Sequence, residues 1–321
     1  MKNLVSNILT LVRWNDWHDV RIPFVFIVIL YFQYTTAFLG NGPIVYVKCI
    51  FLVLFSVFFY AFLFLSNDYF DFNQDVRAAK GSKHRNRTLM LLLIPVLFIT
   101  GIIFLRLSWN TYSFMSIFVA SVGYGLSFYY SSPPLRFKEK KIWGIVVGAT
   151  ILRPMCILML LAGLALTERQ FEIILFMTWM EIIGIRTMMF HQIDDYHNDR
   201  RAHVRTFVTT YGKKLAHNLI VSFFLPAEII VFLGVIAMMV IRIPALTFLI
   251  AAYAIGFLWT GRGHTRSLND VVHYRPLFGR MVFFLLPMYL AVLVAIKFSL
   301  WFVPIFVLFW QRRFMKEFLI T

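Results

Sequence analysis

The sequence predicts an all-α, polytopic membrane protein with nine transmembrane helices. Three observations carry this. Of the 321 residues, 60% are hydrophobic and only 14% are charged, whereas a soluble domain keeps roughly 25% charged to cover its surface. Mean hydropathy is +0.76. The apolar residues run continuously instead of alternating, which excludes an outer-membrane barrel. The same composition excludes disordered, collagen-like, coiled-coil and disulfide-scaffold chains.

A span needs about 20 predominantly apolar residues, and nine runs supply them. Residues 1–21 carry two Trp and a short apolar stretch, with no small-residue cleavage site after it. They are expected to lie at the membrane interface and not to be a cleaved signal. The first run, 22–39, is short; the second, 44–66, is rich in Phe and Leu. Runs three and four, 89–106 and 111–130, are separated by a tight turn near 108, and runs five and six, 142–166 and 170–190, by one near 168. The last three are 215–240, 243–260 and 281–309, followed by a short tail at 310–321. The short runs at 22–39 and 243–260 allow tilt or a partly interfacial position. One domain over 1–321 is expected. Cys49 and Cys156 lie within apolar runs and read as small core residues.

Net charge is +16, from 31 Lys+Arg against 15 Asp+Glu. In a soluble chain that would suggest nucleic acid. Here it is distributed by side, and no nucleic-acid partner is expected. Nine spans put the N-terminus and the loops 67–88, 131–141, 191–214 and 261–280 on one side, with 21 of the 31 basic residues. Positive charge retains those loops in the cytoplasm. Lys48, Arg153, Arg186 and Lys297 fall within spans; Lys48 and Lys297 lie near span ends, where they can snorkel.

The acids are concentrated. Six of the 15 lie in two nine-residue windows, Asn67 to Asp75 and His191 to Asp199, each at the cytoplasmic end of a run. Asn67, Asp71 and Asp75 match His191, Asp195 and Asp199, and the two windows lie four spans apart, which suggests a pseudo-repeat of helices. On a helix, positions i, i+4 and i+8 share one face, about 6 Å apart per step. Carboxylates stacked this way in an apolar setting repel unless divalent cations sit between them. Mg²⁺ takes carboxylates, waters and phosphate oxygens, so the expected ligand is a phosphate or diphosphate. His191 could ligate metal or donate a hydrogen bond. Asp194 points about 100° away from Asp195.

Basic residues follow both windows. Most satisfy the positive-inside bias; Arg77, Lys83 and Arg205 are the candidates for covering the phosphate oxygens that metal leaves free.

With these features the chain resembles the UbiA-type intramembrane prenyltransferases. Asn67-Asp68-x-x-Asp71-x-x-x-Asp75 and Asp195-x-x-x-Asp199 resemble the family's two aspartate motifs. Tyr130-Ser131-Ser132-Pro133-Pro134-Leu135-Arg136-Phe137-Lys138 is similar to its exit from span four. The resemblance covers about 15–310. It implies a helical bundle around a central cavity open to lipid, which binds an isoprenyl diphosphate by its tail among the helices and by its head at Mg²⁺. Asn67, Asp71, Asp75, Asp195 and Asp199 carry over as ligands to metal or metal-bound water. Asp68 carries over as part of the first motif, and Arg136 and Lys138 as substrate-side cations. The sequence departs from the family at His203, where Gly is frequent, and in the His191-Gln192 lead-in.

The implied activity is transfer of an isoprenyl group to a hydrophobic acceptor: an aromatic ring of quinone-precursor type, a tetrapyrrole, a carotenoid or a lipid alcohol. The alternative is cyclisation of the prenyl chain itself. Ionisation of the allylic C–O bond would leave a cation shielded by aromatic faces, with Tyr60, Phe64, Tyr124, Phe128, Tyr129 and Tyr130 available. Asp71 and Asp195 are the expected catalytic carboxylates, one of them as proton acceptor. Arg153, Glu181 and Arg186 are intramembrane charges. Arg153 is a third catalytic candidate, facing the acceptor; Glu181 and Arg186 could equally be structural ion-pair partners. The 261–280 loop, with Asp270, His273 and Tyr274, reads as a connector more than a lid. A cation transporter would place its acids near the midplane on broken helices, not at span ends.

Overall fold

The computed structural model describes residues 2–37, 44–77, 86–108, 114–161, 169–260 and 285–299, with a few positions beyond. All the regular elements of the described chain are helices. An amphipathic helix α1 (Lys2–Leu11) leads through Arg13, in the left-handed region at φ 53°, into α2 (Trp14–Thr36). Then come α3 (Ile44–Arg77), α4 (Arg87–Ser108) and α5 (Phe114–Ser131). The fifth run is divided into α6 (Ile142–Leu152) and α7 (Pro154–Leu161). The sixth run forms α8 (Gln170–Asp194), which passes into the short α9 (Tyr196–Arg201). Next are α10 (Phe207–Tyr211) and α11 (Lys213–Leu219). The series ends with α12 (Leu225–Arg242), α13 (Leu246–Thr260) and α14 (Leu286–Phe298).

All nine apolar runs contain helix, but a count of nine spans is not reached among the described residues. Four helices are long and apolar enough to cross a bilayer: Val47–Asn73, Arg87–Ser108, Gln170–Asp194 and Lys213–Arg242. A fifth span results if α6 and α7, bent by 44°, count as one. Arg21–Thr36, Leu246–Ile255 and Leu286–Phe298 are apolar but shorter. The chain is an integral membrane protein on these helices and on the family match given below.

Two irregularities have local causes. Pro154 has no N–H for the Thr150 carbonyl and pushes the preceding residue out of helical geometry; Arg153 accordingly sits at φ −143°, ψ −63°. Pro226 stands just after a π-helical segment, Ile220–Phe224, that absorbs the missing bond.

The core is one large apolar cluster to which α2, α3, α5, α7, α8, α12 and α14 contribute, with a smaller one joining α6, α8, α10 and α11 around Met189, Phe190 and Val208. α3 packs along α4, and α6 along α8. That second crossing is close because Gly184 has no side chain: a Cβ there would lie 2.9 Å from the Cβ of Ala149. Small residues at such crossings let helices in lipid gain packing contacts. α7 touches α2, α3, α5 and α8, so the break at Arg153 lies in the middle of the bundle.

Candidate active site

α3 continues without interruption to Arg77, so Asn67, Asp71 and Asp75 share a helix face, as the spacing predicts. The Asp75 and Arg77 side chains, and the whole of Lys83, lie outside the described residues, as does the 261–280 loop. Asn67 accepts a 2.5 Å hydrogen bond from the Ser131 hydroxyl. Asp71 pairs with the Lys138 ammonium and lies 3.7 Å from Arg136 Nη2. Asp68, turned off that face, is 2% exposed and meets Arg13 Nη1 at 3.5 Å.

The Pro133-Pro134 segment is what carries Arg136 and Lys138 back onto α3. Its backbone reverses at Arg136, φ 40°, and tightens into a 3₁₀ turn at Phe137–Glu139. The start of α6 closes on that turn: a Cβ on Gly144 would lie 2.7 Å from the Lys138 carbonyl oxygen. Arg136 is also held by Glu139 at 2.7 Å.

The second window is not one straight helix. α8 ends at Asp194 and α9 starts at Tyr196, with Asp195 between them at φ −78°, ψ 0°. The i to i+4 ladder nevertheless survives in the backbone: Asp195 N donates to His191 O at 2.9 Å and Asp199 N to Asp195 O at 2.8 Å. Asn198 Nδ2 reaches Asp195 Oδ1 at 3.4 Å. Gln192 is buried and accepts from the Val208 N–H at 3.3 Å, tying α8 to α10. The departure at His203 has a backbone explanation. His203 has φ 56°, the left-handed region where glycine costs nothing and other residues are uncommon. Beyond it Thr206 caps α10 and forms an isolated parallel bridge with Lys141. This joins the segment after the second window to the end of the Pro-Pro turn. Arg205 lies exposed on that joined edge.

Tyr130 and Arg13 lie near both windows. The Tyr130 hydroxyl is within electrostatic range of both Asp71 and Asp199 and lies against Gly148 of α6. His191, exposed beside Asp194 and Asp195, is within range of Arg13 and Arg21. Arg13, Arg21 and Ser131 were not singled out by sequence reasoning. Arg21 left a faint signal as a basic residue abutting an apolar run, and Ser131 sits inside the recognised motif.

Of the deep charges, Arg186 forms a buried pair with Glu228 of α12, 2.6 Å from Nε to Oε2. Glu181 accepts instead from Thr150 at 3.1 Å. Tyr124 is core: its ring packs edge-on against Phe59, Phe62 and Phe98.

Among the described residues, no three His, Cys, Asp or Glu side chains converge as a metal cage. Mg²⁺ takes one or two carboxylates and completes its coordination with waters and phosphate oxygens. Asn67, Asp71, Asp195 and Asp199 are all oxygen donors of that kind.

The model of the UbiA prenyltransferase family matches residues 24–270. Solved structures agree in fold. A UbiA homolog from Archaeoglobus fulgidus bound to GPP and Mg²⁺ is 17% identical, with TM-score 0.53, over 93% of this chain and 99% of that one. The homolog bound to DMAPP and Mg²⁺ is 18% identical, with TM-score 0.54, over 90% and 99%. A digeranylgeranylglyceryl phosphate synthase structure is 16% identical, with TM-score 0.51, over 97% and 100%. No curated protein sequence gives a significant match.

Proposed function

The chain belongs to the UbiA prenyltransferase family, and from that premise we propose that it transfers an isoprenyl group from an isoprenyl diphosphate to a hydrophobic, aromatic acceptor. Mg²⁺ is the cofactor. One domain over 1–321 carries the reaction, with 1–21 at the interface and the acidic windows on the cytoplasmic side. The Mg²⁺- and prenyl-diphosphate-bound relatives support this reading. The observation that carries it is the closure of the Pro-Pro turn on the first window, with the Lys138 ammonium on Asp71 and Arg136 beside it.

Bound Mg²⁺ supplies Lewis-acid stabilisation of the leaving diphosphate. Asn67, Asp71, Asp75, Asp195 and Asp199 would hold it, with Asp68 held beside the first window by Arg13. Lys138 and Arg136 exchange Asp71 for diphosphate oxygens as charge develops there; Arg205, with Arg77 and Lys83, covers the remaining oxygens. The allylic C–O bond breaks, diphosphate leaves with the electron pair, and the acceptor carbon bonds to the allylic carbon. Tyr130 and the neighbouring rings exclude water from the cation. The acceptor's displaced proton passes to an acidic-window carboxylate, Asp71 or Asp195, or by way of His191.

The test is incubation of purified protein with Mg²⁺, labelled isoprenyl diphosphates of several lengths and an extract of small molecules. A labelled adduct, lost on chelation and restored by Mg²⁺, is expected. A labelled cyclic hydrocarbon formed without acceptor would mean a cyclase instead.

A further inference from the structure

Three donors converge on one buried carboxylate at the end of the bundle away from the acidic windows. Glu172, in the first turn of α8, is 3% exposed. Its Oε2 accepts from the Tyr31 hydroxyl of α2 at 2.8 Å. Its Oε1 accepts from Arg169 Nη1 and from Arg242 Nε, the latter at 3.0 Å. Two guanidinium groups therefore meet at a single oxygen, one from the start of α8 and one from the last turn of α12.

One carboxylate cannot satisfy both. Among the described residues, Arg169 Nε and Nη2 and both Nη atoms of Arg242 have no hydrogen-bond acceptor in the protein. The Arg242 side chain is 48% exposed and that of Arg169 20%, so these donors open outward. Glu168 precedes Arg169 in the chain and lies outside the described residues.

The depth of the cluster follows from helix length. The 25 residues of α8 rise about 37 Å at 1.5 Å each, against a hydrocarbon core about 30 Å thick. Asp194 at one end and Glu172 near the other thus lie at opposite headgroup levels. Arg242 closes the apolar span Lys213–Arg242 at the level of Glu172. The bias that gathers basic residues on the loops at the acidic-window end does not account for these two, which stand on the side with few.

At that depth the abundant anion is the phosphodiester of a phospholipid. A guanidinium fork matches phosphate oxygens two at a time. Two forks already fixed on one carboxylate lose little side-chain freedom on binding. Arg169 is also the N-cap residue of α8 and its side chain caps nothing, so the positive helix end adds to the attraction. Apolar surface for acyl chains stands near the arginines in the chain: Phe171 is 72%, Ile241 76% and Phe248 77% exposed.

We propose that Arg169 and Arg242, held on Glu172, form a headgroup site for an anionic phospholipid in the leaflet opposite the acidic windows, with its acyl chains along Phe171, Ile241 and Phe248. The bound lipid ties the start of α8 to the end of α12, and Tyr31 extends the tie to α2. The site is separate from the acidic windows and does not depend on the transferase reading.

The test uses the full-length protein in phosphatidylcholine nanodiscs with a minor fraction of phosphatidylglycerol that carries a photoactivatable group in one acyl chain. After irradiation, peptide mass spectrometry should place adducts on the peptides that hold Phe171, Ile241 or Phe248. The same label on phosphatidylcholine or on diacylglycerol should give few there. Arg169→Gln and Arg242→Gln should each cut the phosphatidylglycerol adduct by about tenfold or more, while Arg169→Lys keeps part of it. Lys214→Gln, which removes an exposed cation at the other end, should leave it unchanged. Elution profile identifies any variant that fails to fold; if Arg169→Gln does, Arg242→Gln decides. Unfolding midpoints are read with and without phosphatidylglycerol, which should raise that of the wild type and not those of the Gln variants. If the Gln variants lose the same stability in either lipid and still gain from phosphatidylglycerol, the cluster is a structural tie alone and the proposal falls. It also falls if adducts spread evenly over the lipid-facing peptides, if the folded Gln variants keep them, or if inorganic phosphate at equal concentration displaces the lipid.

Discussion

The Lys138 ammonium lies on the Asp71 carboxylate, joining two residues 67 positions apart. The pair places a cation from the Pro-Pro turn on the middle carboxylate of the first acidic window. Asp71→Ala is expected to abolish turnover while the protein still inserts and gives a normal unfolding transition. Lys138→Met should raise KM for the isoprenyl diphosphate by about tenfold or more, the worth of one charge-assisted bond. Steady-state kinetics on both variants check this; full activity in Asp71→Ala removes that residue from the site.

Gly144 controls the same contact from beneath. A side chain there meets the Lys138 carbonyl, which is backbone and cannot swing aside. Gly144→Ala should cost about 1–3 kcal/mol as an overpacked contact. Its activity should fall further than that of Gly125→Ala, where a Cβ meets nothing within 4 Å. Equal activity in the two variants would mean that the turn does not position Lys138.

His203 holds a left-handed backbone conformation at φ 56°. His203→Gly should therefore stabilise the protein by about 1 kcal/mol, read as a higher unfolding midpoint in detergent, with activity unchanged.

The buried Arg186–Glu228 pair is assigned a structural role. Glu228→Gln leaves a buried guanidinium without its counter-charge and should destabilise by about 3–5 kcal/mol; the double variant Arg186→Met/Glu228→Leu should come close to wild type. Thermal unfolding of the three proteins reads this. Loss of turnover in a well-folded double variant would move the pair into the site.

The acidic windows were legible in the sequence because their spacing is itself the structural fact, four-residue steps on a helix; the Pro-Pro segment was legible through its resemblance to the family's exit from span four, and its reversal at Arg136 was not read. The break at Arg153 was half legible. Pro154 marks it, but nothing local says that Arg21, 132 positions earlier, ends up beside it. Arg13 escaped notice for the same reason, since its partner Asp68 is met only by packing α2 along α3. The split of the second window at Asp195 could not be read either, because helical spacing continues across it and only the dihedrals change. The count of nine spans is not confirmed among the described residues, where Leu286–Phe298 is apolar but shorter than a span.

The central claim is that both acidic windows grip one diphosphate through shared cations. Crystals grown with Mn²⁺ and an unreactive geranyl thiodiphosphate test it by anomalous scattering. The account predicts manganese peaks bridging the diphosphate to Asp71 on one side and to Asp195 or Asp199 on the other. Peaks confined to a single window, or a diphosphate seated away from both, would contradict it.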